Sequence, residues 1–191
     1  MNKRLQQQIA FLVEIDRLKG VLRRTRLLDG SRYENSAEHS WYLAMAALVL
    51  SEYAREPIDL LRVIKMALVH DIVEIDAGDT FVFDEQARQT QHERETRAAE
   101  RIFGLLPPEQ AKEFHALWQE FVERRTPEAR FAAALDSLVS VIANAHTQGG
   151  SWCENNIPIE RVLNFDQRIE QGAPTLWKLA KQLIVQAFQP D

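Results

Sequence analysis

The sequence has 191 residues, of which 46% are hydrophobic and 27% are charged, and its formal net charge is -5. This length is enough for one domain with its own core, spanning residues 1–191, and an acidic chain argues against nucleic-acid binding. Cys153 is the only cysteine, which excludes an intrachain disulfide and a cysteine-rich zinc site.

The N-terminal segment contains no long apolar run, so we predict neither a signal peptide nor a transmembrane span. Together with the single cysteine, this favours a cytoplasmic protein with no membrane partner. Residues 3–19 have helical periodicity, with one apolar face that we expect to be buried. That face consists of Ile9, Leu12, Val13 and Ile15, with Leu5 as a further candidate.

Signals for further helices follow along the chain. Asn35-Ser36-Ala37-Glu38 resembles a capping box, and prolines stand at the expected first-turn positions of later helices. The predicted helices cover about residues 36–54, 57–73, 85–103, 108–125, 127–145, 158–171 and 173–188. No alternation with period two is long enough for a sheet, so the predicted fold class is all-α. The irregular segments 76–84 and 146–157 are candidate walls of a site.

Three of these helices are apolar nearly all round, and each contains ionisable residues that this pattern does not predict. They are His39 in the second helix, His70 and Asp71 at the end of the third, and Asp136 in the sixth. An unpaired buried carboxylate costs several kcal/mol. Imidazole and carboxylate oxygen are, in contrast, common ligands of divalent metals. The four side chains therefore predict a metal site.

Each of these residues alone also has a structural interpretation. A histidine near a helix start, such as His39, is often a packed or capping residue, and Asp136 alone would more often be a hydrogen-bonded structural acid. A His-Asp dipeptide is common by chance. The metal interpretation depends on His39, the pair His70-Asp71 and Asp136 occurring in this order on three core helices. The sequence contains no H-E-x-x-H, Walker A or G-x-G-x-x-G motif.

The order of these residues resembles the signature of the HD-domain superfamily of metal-dependent phosphohydrolases. The surrounding residues are similar to the branch that contains the bacterial 5′-deoxynucleotidases and their human HD-domain relative, over about residues 8–185. The motifs that carry the resemblance are Ser36-Ala-Glu38-His39-Ser40, His70-Asp71-x-x-Glu74-x-x-x-Gly78-Asp79-Thr80 and Ala134-Leu135-Asp136.

The resemblance implies a single-domain HD-type helical bundle that hydrolyses the phosphate ester of a nucleoside 5′-monophosphate. It implies one divalent metal ion, which could be Mn, Co, Fe, Zn, Ni or Mg, and it implies a homodimer. The implied residues are the metal ligands His39, His70, Asp71 and Asp136, the catalytic acids Glu74 and Asp79, and the phosphate-binding Arg24.

Two positions depart from relatives in that branch. Thr25 replaces a tryptophan associated with sugar recognition, and residues 80–85 lack the proline found in some relatives. Both changes leave the preference for deoxyribose open. If the third helix continues through Glu74, this residue lies four after His70 on the same face, where it could act as a general acid–base or orient water. Asp79 is expected either to orient the attacking water or to contact the sugar.

Arg24 belongs to an arginine cluster, residues 23–26, which as a whole is more simply explained as stabilising the C-terminal dipole of the first helix. Only Arg24 is assigned to phosphate binding. Two other interpretations of the protein stay open. One is hydrolysis of a nucleoside triphosphate or another small phosphate ester, and the other is a nucleotide-binding module without turnover. The complete set of histidines and acids favours an enzyme.

Overall fold

Helices account for most of residues 2–189, the part of the chain that the computed structural model describes. In chain order, the α-helices are α1 (Lys3–Ile15), α2 (Ser36–Leu50), α3 (Leu60–Val69), α4 (Glu74–Ala77), α5 (Glu85–Gln89), α6 (Gln91–Phe103), α7 (Pro108–Glu123), α8 (Pro127–His146), α9 (Gly150–Glu154), α10 (Ile159–Asp166), α11 (Ile169–Gly172) and α12 (Pro174–Ala187). Short 3₁₀ turns follow α1 and α2, at Asp16–Gly20 and Ser51–Tyr53. The predicted all-α class is confirmed. None of the described helices combines the length and apolar character needed to cross a membrane.

A small antiparallel sheet of two strands lies between α1 and α2. Strand β1 (Leu22–Arg26) pairs with β2 (Tyr33–Asn35). The sequence prediction missed this hairpin because its strands are too short for the period-two pattern to be recognised. The hairpin matters for the site, because consecutive residues of a strand, such as Arg23 and Arg24, project to opposite sides.

Helix α8 is the centre of the core, with α2, α3, α11 and α12 packed around it. Its N-terminus is defined by the hydroxyl of Thr126, which accepts a hydrogen bond from the backbone N–H of Ala129, and by Pro127 in the first turn. Phe131 and Leu135 are fully buried. The predicted sixth helix therefore forms the axis around which the other elements are arranged.

The helix boundaries agree with some predicted signals and correct others. The capping box between Asn35 and Glu38 is present at the start of α2. In α3, Asp59 is the N-cap and accepts hydrogen bonds from two backbone N–H groups, so Pro57 lies before the helix rather than in its first turn. Residues 70–73 form a turn between α3 and α4, so the predicted continuous helix to residue 73 is wrong.

Other predicted helices are divided. The predicted helix at 85–103 is interrupted at Thr90, whose φ of -105° and ψ of 0° depart from α-helical values. The predicted helix at 158–171 consists of α10 and α11 with a turn between them, and the predicted loop at 146–157 contains α9. Element type could be predicted more reliably than the positions at which a helix breaks.

The face of α1 that was expected to be buried is exposed. Ile9, Leu12 and Val13 are 50%, 56% and 69% exposed, and Ile15 is half-buried. Phe11 is buried instead, with its ring edge-on to an aromatic ring of α7. The apolar pattern of α1 therefore marks a surface that the rest of the described chain does not cover.

Candidate metal centre

Three core helices bring ionisable side chains into one buried group. His39 lies in the first turn of α2, His70 and Asp71 directly follow α3, and Asp136 lies in the middle of α8. The Nε2 atom of His39 is 3.1 Å from Oδ1 of Asp136. Ligand atoms of His39, His70 and Asp136 all lie within 4.8 Å of one another, so these residues form a group that could hold a metal ion.

Asp71 lies beside this group. Its Oδ1 atom is 3.0 Å from Nε2 of His70, and its Oδ2 atom is 4.0 Å from Nε2 of His39. Both histidines and Asp71 are buried, whereas the side chain of Asp136 is 18% exposed. The structure thus brings all four residues that the sequence suggested as ligands into one cluster, which we call the acid–histidine cluster.

The hydrogen bonds of the two imidazoles leave one nitrogen of each directed into the cluster. Nδ1 of His70 lies 2.9 Å from the backbone carbonyl oxygen of Ala67; since a carbonyl only accepts, Nδ1 carries a proton, and in the neutral imidazole the lone pair is then on Nε2. Within residues 2–189 this buried Nε2 has no hydrogen-bond partner, because the Asp71 oxygen 3.0 Å away does not lie at a hydrogen-bonding angle. Nδ1 of His39 lies 3.5 Å from Oε2 of Glu34, on the side away from Asp136. Metal-binding histidines are oriented in this way, so the residues fit a divalent cation.

The charges within the cluster also favour a cation. Burial and Arg23 lower the pKa of His39, but hydrogen bonding to Asp136 and Glu34 outweighs them and raises this pKa to about 9. Burial raises the pKa of Asp136, but the contact with His39 outweighs it and holds this pKa below its usual range. A proton on His39 thus offsets part of the negative charge of the nearby carboxylates. A metal ion bound in place of this proton would release it.

Glu74 is the first residue of α4 and is buried beside the cluster. The hydroxyl of Ser36 donates a hydrogen bond of 2.6 Å to its Oε2 atom. Burial and the nearby Asp71 carboxylate raise the pKa of Glu74 well above its usual value. Although the turn at residues 70–73 replaces the expected helix, Glu74 still lies next to the residues with which the sequence grouped it.

Of the two adjacent arginines Arg23 and Arg24, Arg23 lies inside the site. Its Nη1 atom donates a hydrogen bond of 2.9 Å to Oδ2 of Asp71 and lies 3.8 Å from Oδ1 of Asp79. Its Nε atom lies 3.7 Å from Oε2 of Glu34. Arg24, which the resemblance assigned to phosphate binding, is exposed and lines a small neighbouring cavity. Successive side chains of strand β1 project to opposite sides, and this places the two arginines in different environments. The sequence analysis treated the segment as irregular and therefore could not make this distinction.

Asp79 lies at the edge of the cluster. It follows Gly78, whose φ of 74° ends α4 in a conformation that favours glycine. Burial raises the pKa of Asp79, and the facing Arg23 opposes this rise. Asp79 is therefore an acid that faces Arg23 and stands farther from the histidines than Asp71 does.

Two cavities open onto the cluster. The larger has a volume of about 350 Å³ and the smaller about 80 Å³. Arg23, Asp79, Asp136 and Arg168 are among the residues that line both. Thr25, where the resemblance led us to expect a tryptophan, is buried in the wall of the smaller cavity. A substrate could therefore reach the cluster from either side.

Four polar residues around the cluster were not found from the sequence. They are Arg23, Glu34, Ser36 and Arg168. Glu34 belongs to the hairpin that was missed, and Arg168 lies between two short helices near the C-terminus. Ser36 was named in a helix cap and in a motif, but no role at the site was assigned to it. Only the tertiary fold brings these segments to the site, so no local spacing marks them.

Comparison with known proteins identifies several relatives. The sequence model of the family described as HD domain matches residues 15–177. The chain is 32% identical to 5′-deoxynucleotidase HDDC2 of Bos taurus over 109 residues, which are 57% of this chain and 52% of that protein. It is 31% identical to 5′-deoxynucleotidase HDDC2 of Homo sapiens over 111 residues, or 58% and 53% of the two chains. The chain thus spans about half the length of these curated relatives.

Solved structures include proteins of similar fold. A protein of Magnetospirillum magnetotacticum described as a "predicted metal-dependent phosphohydrolase" is 49% identical, with a TM-score of 0.91 and coverage of 97% of this chain and 96% of that chain. The PH0347 protein of Pyrococcus horikoshii is 22% identical, with a TM-score of 0.66 and coverage of 92% and 99%. The second likeness is one of fold alone.

Proposed function

The chain belongs to the HD-domain family, and from this premise we propose that it is a metal-dependent phosphohydrolase acting on (deoxy)nucleoside 5′-monophosphates. The observation that carries the proposal is the convergence of His39, His70 and Asp136 beside a buried acid, Glu74. The likeness to the HDDC2 5′-deoxynucleotidases supports a nucleotide substrate. The likeness to the Magnetospirillum protein supports metal dependence.

In this proposal, His39, His70, Asp71 and Asp136 hold one divalent cation. Two imidazoles and two carboxylates are compatible with Mn²⁺, Co²⁺, Fe²⁺, Zn²⁺, Ni²⁺ or Mg²⁺. The buried Nε2 of His70, which has no hydrogen-bond partner within the described residues, supports this assignment. When bound, such a cation polarises a phosphoryl oxygen and lowers the pKa of a coordinated water.

Glu74 is the residue we assign to proton transfer. Its raised pKa means that the carboxyl group keeps its proton to a higher pH than an exposed glutamate does, which favours donation of that proton to the departing sugar oxygen. The hydrogen bond from Ser36 holds this carboxyl group in one orientation. Asp79 stands farther from the histidines and faces Arg23, which suits orientation of the water or the sugar rather than proton transfer.

We propose that Arg23, rather than Arg24, binds the phosphate group of the substrate. The guanidinium of Arg23 lies against Asp71, and in the described part of the chain its buried Nε has no hydrogen-bond partner. A phosphate oxygen would satisfy this donor, and guanidinium groups bind phosphate through two parallel hydrogen bonds. Arg24 lines the smaller cavity and is the alternative that the resemblance supports.

Phosphate release tests the proposal. The protein is loaded with Mn²⁺, Co²⁺ or Mg²⁺ and assayed on deoxynucleoside and ribonucleoside 5′-monophosphates, nucleoside triphosphates and sugar phosphates, with EDTA as the control. We expect metal-dependent release from the monophosphates. Release only from triphosphates or non-nucleotide esters would change the substrate class. No release from any ester with any metal would favour a binding module without turnover.

Two variants test the assigned roles. Asp136→Ala is expected to lose the metal, as measured by elemental analysis. Glu74→Gln is expected to retain the metal and to reduce kcat by about 10²–10⁴-fold, the usual contribution of a general acid. Glu93→Gln, an exposed site on α6, is the matched control. An unchanged kcat in Glu74→Gln would exclude Glu74 from the chemistry.

We also propose a cytoplasmic homodimer. The exposed apolar face of α1 and the exposed side chains of Trp41 and Val49 on α2 support a second copy, because monomers rarely expose large apolar surfaces. Light scattering after gel filtration should give twice the monomer mass, and a monomer at micromolar concentration would contradict this. The cytoplasmic location rests on the single cysteine and is tested by cell fractionation.

A further inference from the structure

The larger cavity is lined by two groups of opposite charge. One group is the acid–histidine cluster, represented in the cavity wall by His70, Asp71 and Asp136 among others. The second consists of three arginines from separate segments. They are Arg88 in α5, Arg124 directly after α7, and Arg168 between α10 and α11. We call these three residues the arginine triad; the proposed reaction so far uses none of them.

The arginine triad is not neutralised by the protein itself. Within the described part of the chain, none of its guanidinium nitrogens has a carboxylate oxygen within 4.0 Å. The Nε of Arg168 donates to the hydroxyl of Ser137 at 2.6 Å, and its guanidinium lies 3.9 Å from the ring centroid of Phe165. The Nε of Arg124 is buried and, among the described residues, has no hydrogen-bond partner. Buried donors without acceptors are unfavourable, so an external acceptor would be stabilised here.

Arg124 has an unusual backbone conformation at the end of α7. Arg124 ends α7 in the left-handed conformation, with φ 54° and ψ 34°. Glycine or asparagine adopts this conformation at the least cost. The next residue, Arg125, is highly exposed and lies 3.6 Å from Glu123 at the surface.

All three arginines line the same cavity, and Arg168 is repelled by the other two. Burial lowers the pKa of Arg168 to about 10; Arg124 and Arg88 lower it as well, and Asp136 opposes the change. A bound anion would offset this repulsion. It would also accept hydrogen bonds from guanidinium N–H groups, such as that of Arg124 Nε, that have no acceptor among the described residues. Charge-assisted hydrogen bonds of this kind are the strongest that a guanidinium forms.

We propose that the arginine triad binds a second phosphate group of the substrate, which stays intact while the phosphate to be cleaved lies at the acid–histidine cluster. The preferred substrates are then phosphate monoesters that carry another phosphate, such as nucleoside 3′,5′-bisphosphates. The inference rests on the proposed hydrolase function and narrows its substrate class. The cavity volume of about 350 Å³ is within the range of small-molecule sites.

Matched pairs of substrates test this subsite. In metal-loaded protein, kcat/KM for nucleoside 3′,5′-bisphosphates should exceed that for the corresponding 5′-monophosphates by about tenfold or more, the effect of one charge-assisted hydrogen bond. Arg124→Gln, which keeps a long side chain, and Arg88→Gln on the exposed surface of α5 should each reduce this ratio by about tenfold. Arg125→Gln is the matched control and should leave the ratio unchanged.

A binding experiment separates the subsite from turnover. Inorganic pyrophosphate is titrated calorimetrically into EDTA-treated protein, and Arg124→Gln should weaken its binding about tenfold relative to wild type and to Arg125→Gln. Circular dichroism checks the fold, and Arg88→Gln provides a second variant if Arg124→Gln does not fold.

The outcomes distinguish the subsite from the proposed function. Equal substrate ratios and equal pyrophosphate affinities in wild type and the triad variants would overturn the subsite, and monophosphate hydrolysis in the same experiment would leave the hydrolase function standing. Weakened pyrophosphate binding in Arg124→Gln, in a protein that hydrolyses no ester, would support the anion site and overturn the hydrolase.

Discussion

Arg23 and Arg24 are adjacent in the sequence but have different environments. Arg23 is hydrogen-bonded to Asp71 and lies near Asp79, whereas Arg24 is exposed. The difference arises because β1 is a strand, in which neighbouring side chains point to opposite sides. The two positions therefore form a natural matched pair for testing which guanidinium binds the substrate phosphate.

Arg23→Ala is expected to lower kcat/KM for nucleoside monophosphates by about tenfold or more, because it removes charge-assisted hydrogen bonds to phosphate. Arg24→Ala, at an exposed position, should change kcat/KM by about threefold or less. Phosphate release is the measurement, and metal content is determined in parallel because Arg23 also contacts Asp71. A larger loss in Arg24→Ala would favour the arginine chosen from the resemblance.

Asp166 is a buried acid that no sequence motif marks. It ends α10 on the wall of the smaller cavity and is 5% exposed. Burial raises its pKa to about 7, with Arg168 opposing and Asp136 adding to the rise. An acid whose folded-state pKa lies above its unfolded value of 3.8 destabilises the fold once it ionises.

Asp166→Asn is therefore expected to stabilise the protein increasingly as the pH rises from about 4 to about 7. At pH 8, the substitution should remove a loss of folding free energy on the order of 4 kcal/mol that ionisation of Asp166 causes. At pH 4 this loss is small, because the carboxyl group is protonated in the folded state and about half-protonated in the unfolded state. Urea unfolding across this pH range measures the effect. Asp16→Asn at an exposed site is the control. A gain that does not depend on pH would contradict the assignment.

The residues of the acid–histidine cluster could be predicted because ionisable groups are conspicuous in apolar helices. Asp136 lies within an apolar run, and His39 directly precedes the apolar part of its helix, so their chemistry is evident before their contacts are known. Glu34 and Arg23 could not be predicted in this way, because they belong to a polar segment where charge is unremarkable. Only the pairing of β1 with β2 places them at the site.

At the scale of elements, the close contact between α11 and α8 depends on Gly172. A Cβ atom at this position would overlap the carbonyl oxygen and carbon of Arg130 and the backbone nitrogen of Phe131. These are backbone atoms near the start of α8 and cannot rotate away. The helices approach one another to a distance that only glycine permits.

Gly172→Ala is expected to lower the free energy of unfolding by about 1–3 kcal/mol, the usual cost of overpacking. Gly20→Ala is the control, since among residues 2–189, its two chain neighbours aside, no atom lies within 4 Å of the Cβ that it would add. This control should be neutral or should stabilise by up to about 1 kcal/mol. Urea denaturation compares the two variants, and equal losses of stability would show that the α8–α11 contact does not need glycine.

Helix existence could be predicted from periodicity and caps, but the breaks at Thr90 and at residues 70–73 could not. A turn of this kind is stabilised by tertiary contacts rather than by local propensity. The exposed face of α1 is a related case. Leu12 and Val13 belong to a helical apolar pattern, but this pattern does not predict which surface packs against them. Periodicity identifies an apolar face but not its partner.

At the scale of the whole molecule, the acid–histidine cluster joins segments that are far apart in the chain. His39 and Asp136 are separated by 97 positions and belong to different core helices. A metal held between them would bind the folded protein and not the unfolded chain, in which these residues are distant. Stability should therefore depend on metal occupancy.

Removal of the metal with EDTA is expected to lower Tm by about 5–10 °C relative to protein at a metal concentration a hundredfold above Kd. Differential scanning fluorimetry is the measurement. Asp136→Ala is the control, because a protein that has lost its site should not respond to EDTA. The same Tm with metal and with EDTA in the wild type would indicate that the cluster binds no ion tightly.

Cys153 provides a single site for covalent labelling. It is exposed on α9, next to Trp152, which is buried and lines the smaller cavity. Since the sequence has no other cysteine, a maleimide fluorophore would attach at one place without mutagenesis. Its emission would follow ligand entry in real time, including for compounds that are held without being turned over.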